Sequence, residues 1–270
     1  MRGLIAKTLR EAWVSLVLFA LSLGAVEMLL AYILPMFVGD QFNQWLELKF
    51  IRNFVEVMLG TEVGETIGPH MIASIAWAHG VVLAIVWAQA ITFCTRIPAG
   101  EVDRGTIDVL LGLPVSRKKL YVCESLVWLL SGVVTVVVGL VGNIIGGRGG
   151  MDEMKMTSGQ SVIVVTNLYC LYLAVGGMSW LVSSLSDRRG RAVSVVLAIV
   201  LASFFLNFIS QLWSPAEGLA FLGVLNYYRP LMILRDSGWP VSDMIILVGV
   251  GGISWLIGGI VFIRRDIRTV

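Results

Sequence analysis

The sequence predicts an all-α polytopic membrane protein with six transmembrane helices, and three observations predict it. The first is composition. Of 270 residues, 57% are hydrophobic and 14% charged, with mean hydropathy +0.86, against about 45–50% and about 25% in an average soluble domain. The second is that apolar runs near the roughly 20 residues needed to cross a bilayer recur along the chain. They fall at about 13–38, 70–95, 120–145, 161–185, 192–213 and 243–263. The third is where the cations sit. Fourteen of the twenty Lys and Arg residues precede the first run, separate the second from the third or the fourth from the fifth, or follow the sixth. Positive charge marks the cytoplasmic side, so both termini are expected inside and the number of spans must be even. This composition excludes a soluble enzyme and a disordered chain. The net charge of +2 is too small for a nucleic-acid binder. The chain reads as one membrane domain, 1–270.

Taken in order, residues 1–12 place Leu4, Ile5, Thr8, Leu9 and Ala12 on one helical face, with Arg2, Lys7, Arg10 and Glu11 mostly off it. That pattern predicts an N-terminal amphipathic interface helix on the cytoplasmic surface. The first run is too long for a signal-peptide core, so a cleaved leader is not expected. Glu27, near the middle of the first span, is costly in lipid. It is expected to face a cavity or the bundle and is a candidate for the transport path or a dimer seam. Its possible partners are Gln89, Asn143, Asn167 and Asn207. The acidic stretch 39–69 shows a three-four apolar repeat from Phe42 to Met58, which predicts an amphipathic outer helix.

The second span carries His79, with only His70 as another histidine and no cysteine at ligand spacing. A zinc site needs about four ligands, so no metal is expected. Cys94, Cys123 and Cys170 are far apart and form no metal or disulfide pattern. Glu124, early in the third span, is expected to reach the cytoplasmic interface. Gly139 and Gly142, Gly176 and Gly177, and Gly249–Gly252 read as small faces that let helices approach. The Gly-rich link at 146–160 reads as flexible. Arg188, Arg189 and Arg191, in the short loop between the fourth and fifth spans, are candidates for a second cytoplasmic contact. Residues 214–241 are apolar over too short a stretch to cross, which predicts an outer re-entrant segment between spans five and six. Trp13, Trp213, Tyr227, Tyr228 and Trp239 fall where an aromatic belt would lie.

The most informative stretch is 96–120, RIPAGEVDRGTIDVLLGLPVSRKKL. Ile107, Leu110, Leu111 and Pro114 recur at helical spacing. Acidic residues lie toward the N-terminal part and Arg117, Lys118 and Lys119 follow the C-terminal end, a polarity that suits the helix dipole. Thr106 can cap the turn and Pro114 can end it. The result is a short helix below the membrane with an apolar ridge for another protein to grip. The run from Glu101 through Arg104, Gly105, Thr106, Ile107, Leu110, Leu111 and Pro114 to Arg117 closely resembles the loop between the second and third spans of ABC-2-type transporter permeases. These are membrane subunits of ATP-binding-cassette exporters. The basic ending Arg264, Arg265, Asp266, Ile267 fits the same pattern.

The resemblance implies that this loop is a coupling helix seated in a cleft of an ATPase subunit. Glu101 and Arg117 are the candidate polar anchors, through charge-assisted bonds to the ATPase or to the neighbouring N-terminal helix. It implies two ATPase copies and a second permease copy, as a homodimer or a related heterodimer, in the plasma membrane. No Gly-rich phosphate loop ending in Gly-Lys-Ser/Thr occurs in the chain, so no cofactor is expected here and ATP with Mg would be held by the ATPase. No catalytic motif is present either, so the chain itself is expected not to be an enzyme. A cavity with few charges and many aromatics favours an amphipathic or lipid-like cargo or an antibiotic. The competing classes are a stand-alone secondary transporter or channel, which would want inverted repeats and ion-coupling charges, and a non-transporting assembly subunit paired with an ATPase.

Overall fold

The computed structural model describes residues 2–37, 48, 69–105, 115–150 and 152–265. Among these, six helices are long and apolar enough to cross a membrane, and they fall on the six expected runs. The architecture is all-α, with no strand among the described residues. Helix α1 spans Arg2–Ile33. The second span is built from α2 (Pro69–Ala78) and α3 (Gly80–Cys94). The others are α4 (Arg117–Gly146), α5 (Ser158–Leu185), α6 (Arg189–Leu212) and, after a short α7 (Pro230–Asp236), α8 (Val241–Arg264). Both ends of the described chain lie at one end of the bundle, called the terminal end below.

Two helix pairs form the frame, α1 with α4 and α5 with α8, and α3 packs between α1 and α5. In lipid the hydrophobic effect does not drive helices together, so close packing of small residues must. A Cβ built on Gly142 would overlap the backbone oxygen of Gly24, and one on Gly146 that of Met28. One on Gly177 would overlap the oxygen of Gly251. Backbones therefore touch along both pairs, as the glycine faces lead one to expect. Gly249 and Gly252, by contrast, have nothing within 4 Å and are not part of the seam. Outward residues such as Leu18, Leu21, Ile245 and Ile253 are exposed, as lipid-facing positions should be.

Three local readings change. The expected interface helix is helical but continuous with the first span. Its Thr8 and Ala12 are buried against the bundle, with the Thr8 hydroxyl donating to Glu124 near the start of α4. The second span is interrupted at His79, whose extended backbone and Nδ1, 3.3 Å from the Val81 N–H, cap α3. That gives the histidine a structural role. Tyr228 is buried rather than interfacial, and its hydroxyl donates to the Trp77 carbonyl at 3.0 Å. Trp13, Trp213 and Trp239 are exposed, as a belt requires. The Gly-rich link forms two short turns, Gly147–Gly149 and Asp152–Met154. The outer helix expected within 39–69 lies outside the described residues.

The segment between α6 and α8 is broken into short turns, Ser214–Glu217, Ala220–Leu222 and Val224–Tyr227, followed by α7. Irregular backbone near a membrane needs protein partners, and α5 supplies them. The Asn167 side chain donates to the Tyr227 carbonyl at 3.4 Å and accepts from the Arg229 N–H at 3.2 Å. Gln160 donates to the Leu234 carbonyl at 2.8 Å. Arg229 pairs with Asp243 at 3.2 Å.

Candidate functional site

The sequence places its strongest signal in the connection from α3 to α4. Helix α3 ends at Cys94, where Thr95 Oγ1 donates back to the Ile91 carbonyl at 2.7 Å. Ile97 is extended, and the chain then turns helically through Asp103. Gly105 adopts φ +68, a left-handed conformation that glycine takes without a Cβ penalty. Ile97, Pro98, Ala99 and Gly100 are all buried, so this elbow is built into the bundle. Thr106, Ile107, Leu110, Leu111 and Pro114, the centre of the expected coupling helix, lie outside the described residues. On the far side, Ser116 caps α4 by accepting from the Lys119 N–H at 3.3 Å.

The elbow is tied to every neighbouring span. Arg96 donates to Glu124 Oε2 at 2.6 Å and reaches Glu11 at 3.5 Å. Thr8 Oγ1 donates to the other Glu124 oxygen. One guanidinium and one hydroxyl thus join α1, the elbow and α4 through a carboxylate that is only 6% exposed. Glu124, expected at the cytoplasmic interface, is buried inside the bundle. Its partners on α1 and the elbow satisfy it inside, which makes burial affordable. The Ala99 N–H donates to Ser183 Oγ near the end of α5 at 3.2 Å. Arg189, the first residue of α6, folds back and donates to the Thr92 carbonyl of α3 at 3.2 Å.

Other candidate residues gather at the same end. Glu101 and Arg104 line, with Glu11, Arg96 and Arg189, a polar cavity of about 400 Å³. Arg117 donates to the Arg265 carbonyl at 2.6 Å, so it holds the C-terminal segment and not the α1 stretch. Arg265 in turn donates to the Ser184 carbonyl at 2.8 Å and pairs with Asp187. That places a cation at the C-terminus of α5, where the dipole favours one. Arg188 and Arg191 are exposed. Glu27 is elsewhere. It is fully buried between α1 and α4, with Oε2 accepting from the Asn143 amide at 2.8 Å and Oε1 without a partner. It faces the interior of this chain and not its outer surface.

Three participants are not evident from the sequence. Thr8 lies on the predicted apolar face of the N-terminal helix, Arg96 reads as one more cytoplasmic cation, and Ser183 sits inside an apolar run. The opposite signs of Arg96 and Glu124 at the two ends of one loop were a usable signal, because the loop brings span ends together.

A family model described as ABC-2 family transporter protein matches residues 5–267. No curated protein matches the chain. The match covers nearly the whole sequence, and the chain belongs to the ABC-2 transporter family as a multi-pass membrane permease.

Proposed function

We propose that this ABC-2 permease couples ATP hydrolysis by a separate ABC ATPase to export of an amphipathic or lipid-like cargo or an antibiotic. Family membership implies the ATPase partner. The reading has two copies of each subunit in the plasma membrane, both termini cytoplasmic, and Mg-ATP held entirely by the partner. The observation that carries it is the elbow. Residues 96–105 hang from α3 and are bonded to α1, α4 and α5, while Arg189 of α6 is bonded to the foot of α3. A partner that grips the adjoining loop therefore pulls on several spans at once. Such a cluster can switch as a body between two arrangements, with nucleotide biasing the balance.

In this mechanism ATP binding closes the ATPase pair and moves the loop centred on Ile107–Leu111. The Arg96–Glu124–Thr8 bonds pass that displacement to α1 and α4. Gly105 lets the chain turn between the buried elbow and the gripped segment. Glu101 is the proposed polar contact to the ATPase, and Arg188 and Arg191 the second one.

The test is co-purification of the chain with the ABC ATPase encoded nearest to it. The native chain should retain the ATPase, Leu110→Asp should lose it, and Glu101→Ala should weaken it. Equal recovery with Leu110→Asp would defeat the coupling reading and leave a stand-alone transporter as the better one.

A further inference from the structure

At the end of the bundle away from the termini lies a second cavity, of about 340 Å³. It is distinct from the elbow and from any surface the proposed ATPase would touch. Its walls come from the last turn of α1 with the residues after it, from α2, and from the end of α4 with the turns that follow. Much of the lining is apolar, with Leu34, Ala73, Ala76 and Ile144 among its residues. Polar groups are few. Asn143 and Ser161 lie along the wall, and Arg148 and Lys155 also border the cavity. An apolar concavity with a small number of placed polar groups has the character of a ligand site, and its volume is at the low end of the roughly 300–1,000 Å³ such sites occupy.

The lining groups set the ligand chemistry. The ends of α1 and α4 and the wall from α2 offer apolar surface, and the link after α4 adds the cations Arg148 and Lys155. Arg148 is exposed and makes no hydrogen bond or ion pair with any described residue. Lys155 is held by Asp152 at 2.6 Å, which leaves its remaining donors available. Planar guanidinium donors at such a position favour phosphate or carboxylate.

We infer that this cavity binds a small anionic amphiphile, a single-chain phosphate or carboxylate with its apolar part against Leu34, Ala73 and Ala76 and its head on Arg148 and Lys155. The cavity is too small to enclose a whole two-chain lipid, although the headgroup of one offers the same anion. Binding here requires no ATPase, so the inference stands or falls separately from the coupling mechanism.

The experiment uses the full chain in phosphatidylcholine nanodiscs and an alkyl phosphate bearing a diazirine in its chain, with adducts located by peptide mass spectrometry. Adducts should saturate and concentrate in peptides carrying residues 31–35 and 143–156. Dodecyl phosphate should compete, whereas dodecanol and inorganic phosphate should not. The Arg148→Gln/Lys155→Gln variant should weaken labelling at least tenfold, since loss of a single charge-assisted contact accounts for a factor of about ten. Both side chains are substantially exposed, so the fold should survive the change. Adducts spread evenly over lipid-facing residues, equal competition by dodecanol, or undiminished labelling of the double variant would each overturn the site. Competition by phosphatidic acid doped into the nanodisc as strong as that of dodecyl phosphate would overturn the single-chain assignment.

Discussion

Arg96 and Glu124 are bonded to each other, yet they are not equally replaceable. Arg96→Ala leaves a buried carboxylate with Thr8 as its one remaining partner among the described residues. Glu124→Ala leaves the guanidinium with Glu11, which is already within 3.5 Å and half exposed. Stranding one member of a buried pair costs about 3 kcal/mol or more. Arg96→Ala should therefore lower the melting temperature in detergent clearly more than Glu124→Ala does, and equal losses would mean that the pair is effectively solvated. At this scale the sequence was only partly legible. The Glu27–Asn143 bond lay among the pairings the sequence allowed, because a carboxyl inside a span must find a polar partner and few exist. Thr8 with Glu124 was not legible, since they are 116 residues apart and their meeting depends on how α1 and α4 align. The burial of Tyr228 is not legible for a similar reason. Its position near a span end suggested the interface, but the broken segment that carries it folds inward.

Among the elements, the helices declare themselves by apolar length, while their ends depend on single residues. Thr157 and Gln160 form a reciprocal cap on α5, with the Gln160 N–H donating to Thr157 Oγ1 at 3.3 Å and the Thr157 N–H donating to Gln160 Oε1 at 2.9 Å. The Thr-x-x-Gln spacing marks a helix start, which the apolar run at 161–185 alone does not locate. The interruption at His79 was not visible, because the surrounding residues are uniformly apolar. The glycines separate packing from mere smallness. Gly142→Ala should destabilise by about 2 kcal/mol, since its methyl would meet the Gly24 backbone. Gly249→Ala, with open space around it, should be neutral or stabilise by up to about 1 kcal/mol through helix propensity. Thermal unfolding of the two variants side by side checks the contrast, and similar losses would refute the seam.

For the whole molecule, composition and six apolar runs were enough to read the architecture, whereas the cavity between α1, α2 and α4 was not. Its walls come from segments far apart in the chain, and no local pattern records their meeting. The expected orientation is testable because Cys94, Cys123 and Cys170 are all buried and leave a quiet background for thiol labelling. With a membrane-impermeant maleimide, Lys118→Cys should label only from the cytoplasmic side and Trp239→Cys only from outside, both positions being exposed. Reversed labelling would invert the topology. Helix α1 also has a mechanical consequence. Its 32 residues run without a break, so it is a rod about 48 Å long, well beyond the roughly 30 Å hydrocarbon thickness. Its foot holds Thr8 and Glu11 at the elbow, and its head ends at the second cavity. A rod has no joint in which to lose a rotation. A tilt of about 10° displaces one end by about 8 Å relative to the other, so the elbow and the distant cavity share a single lever arm.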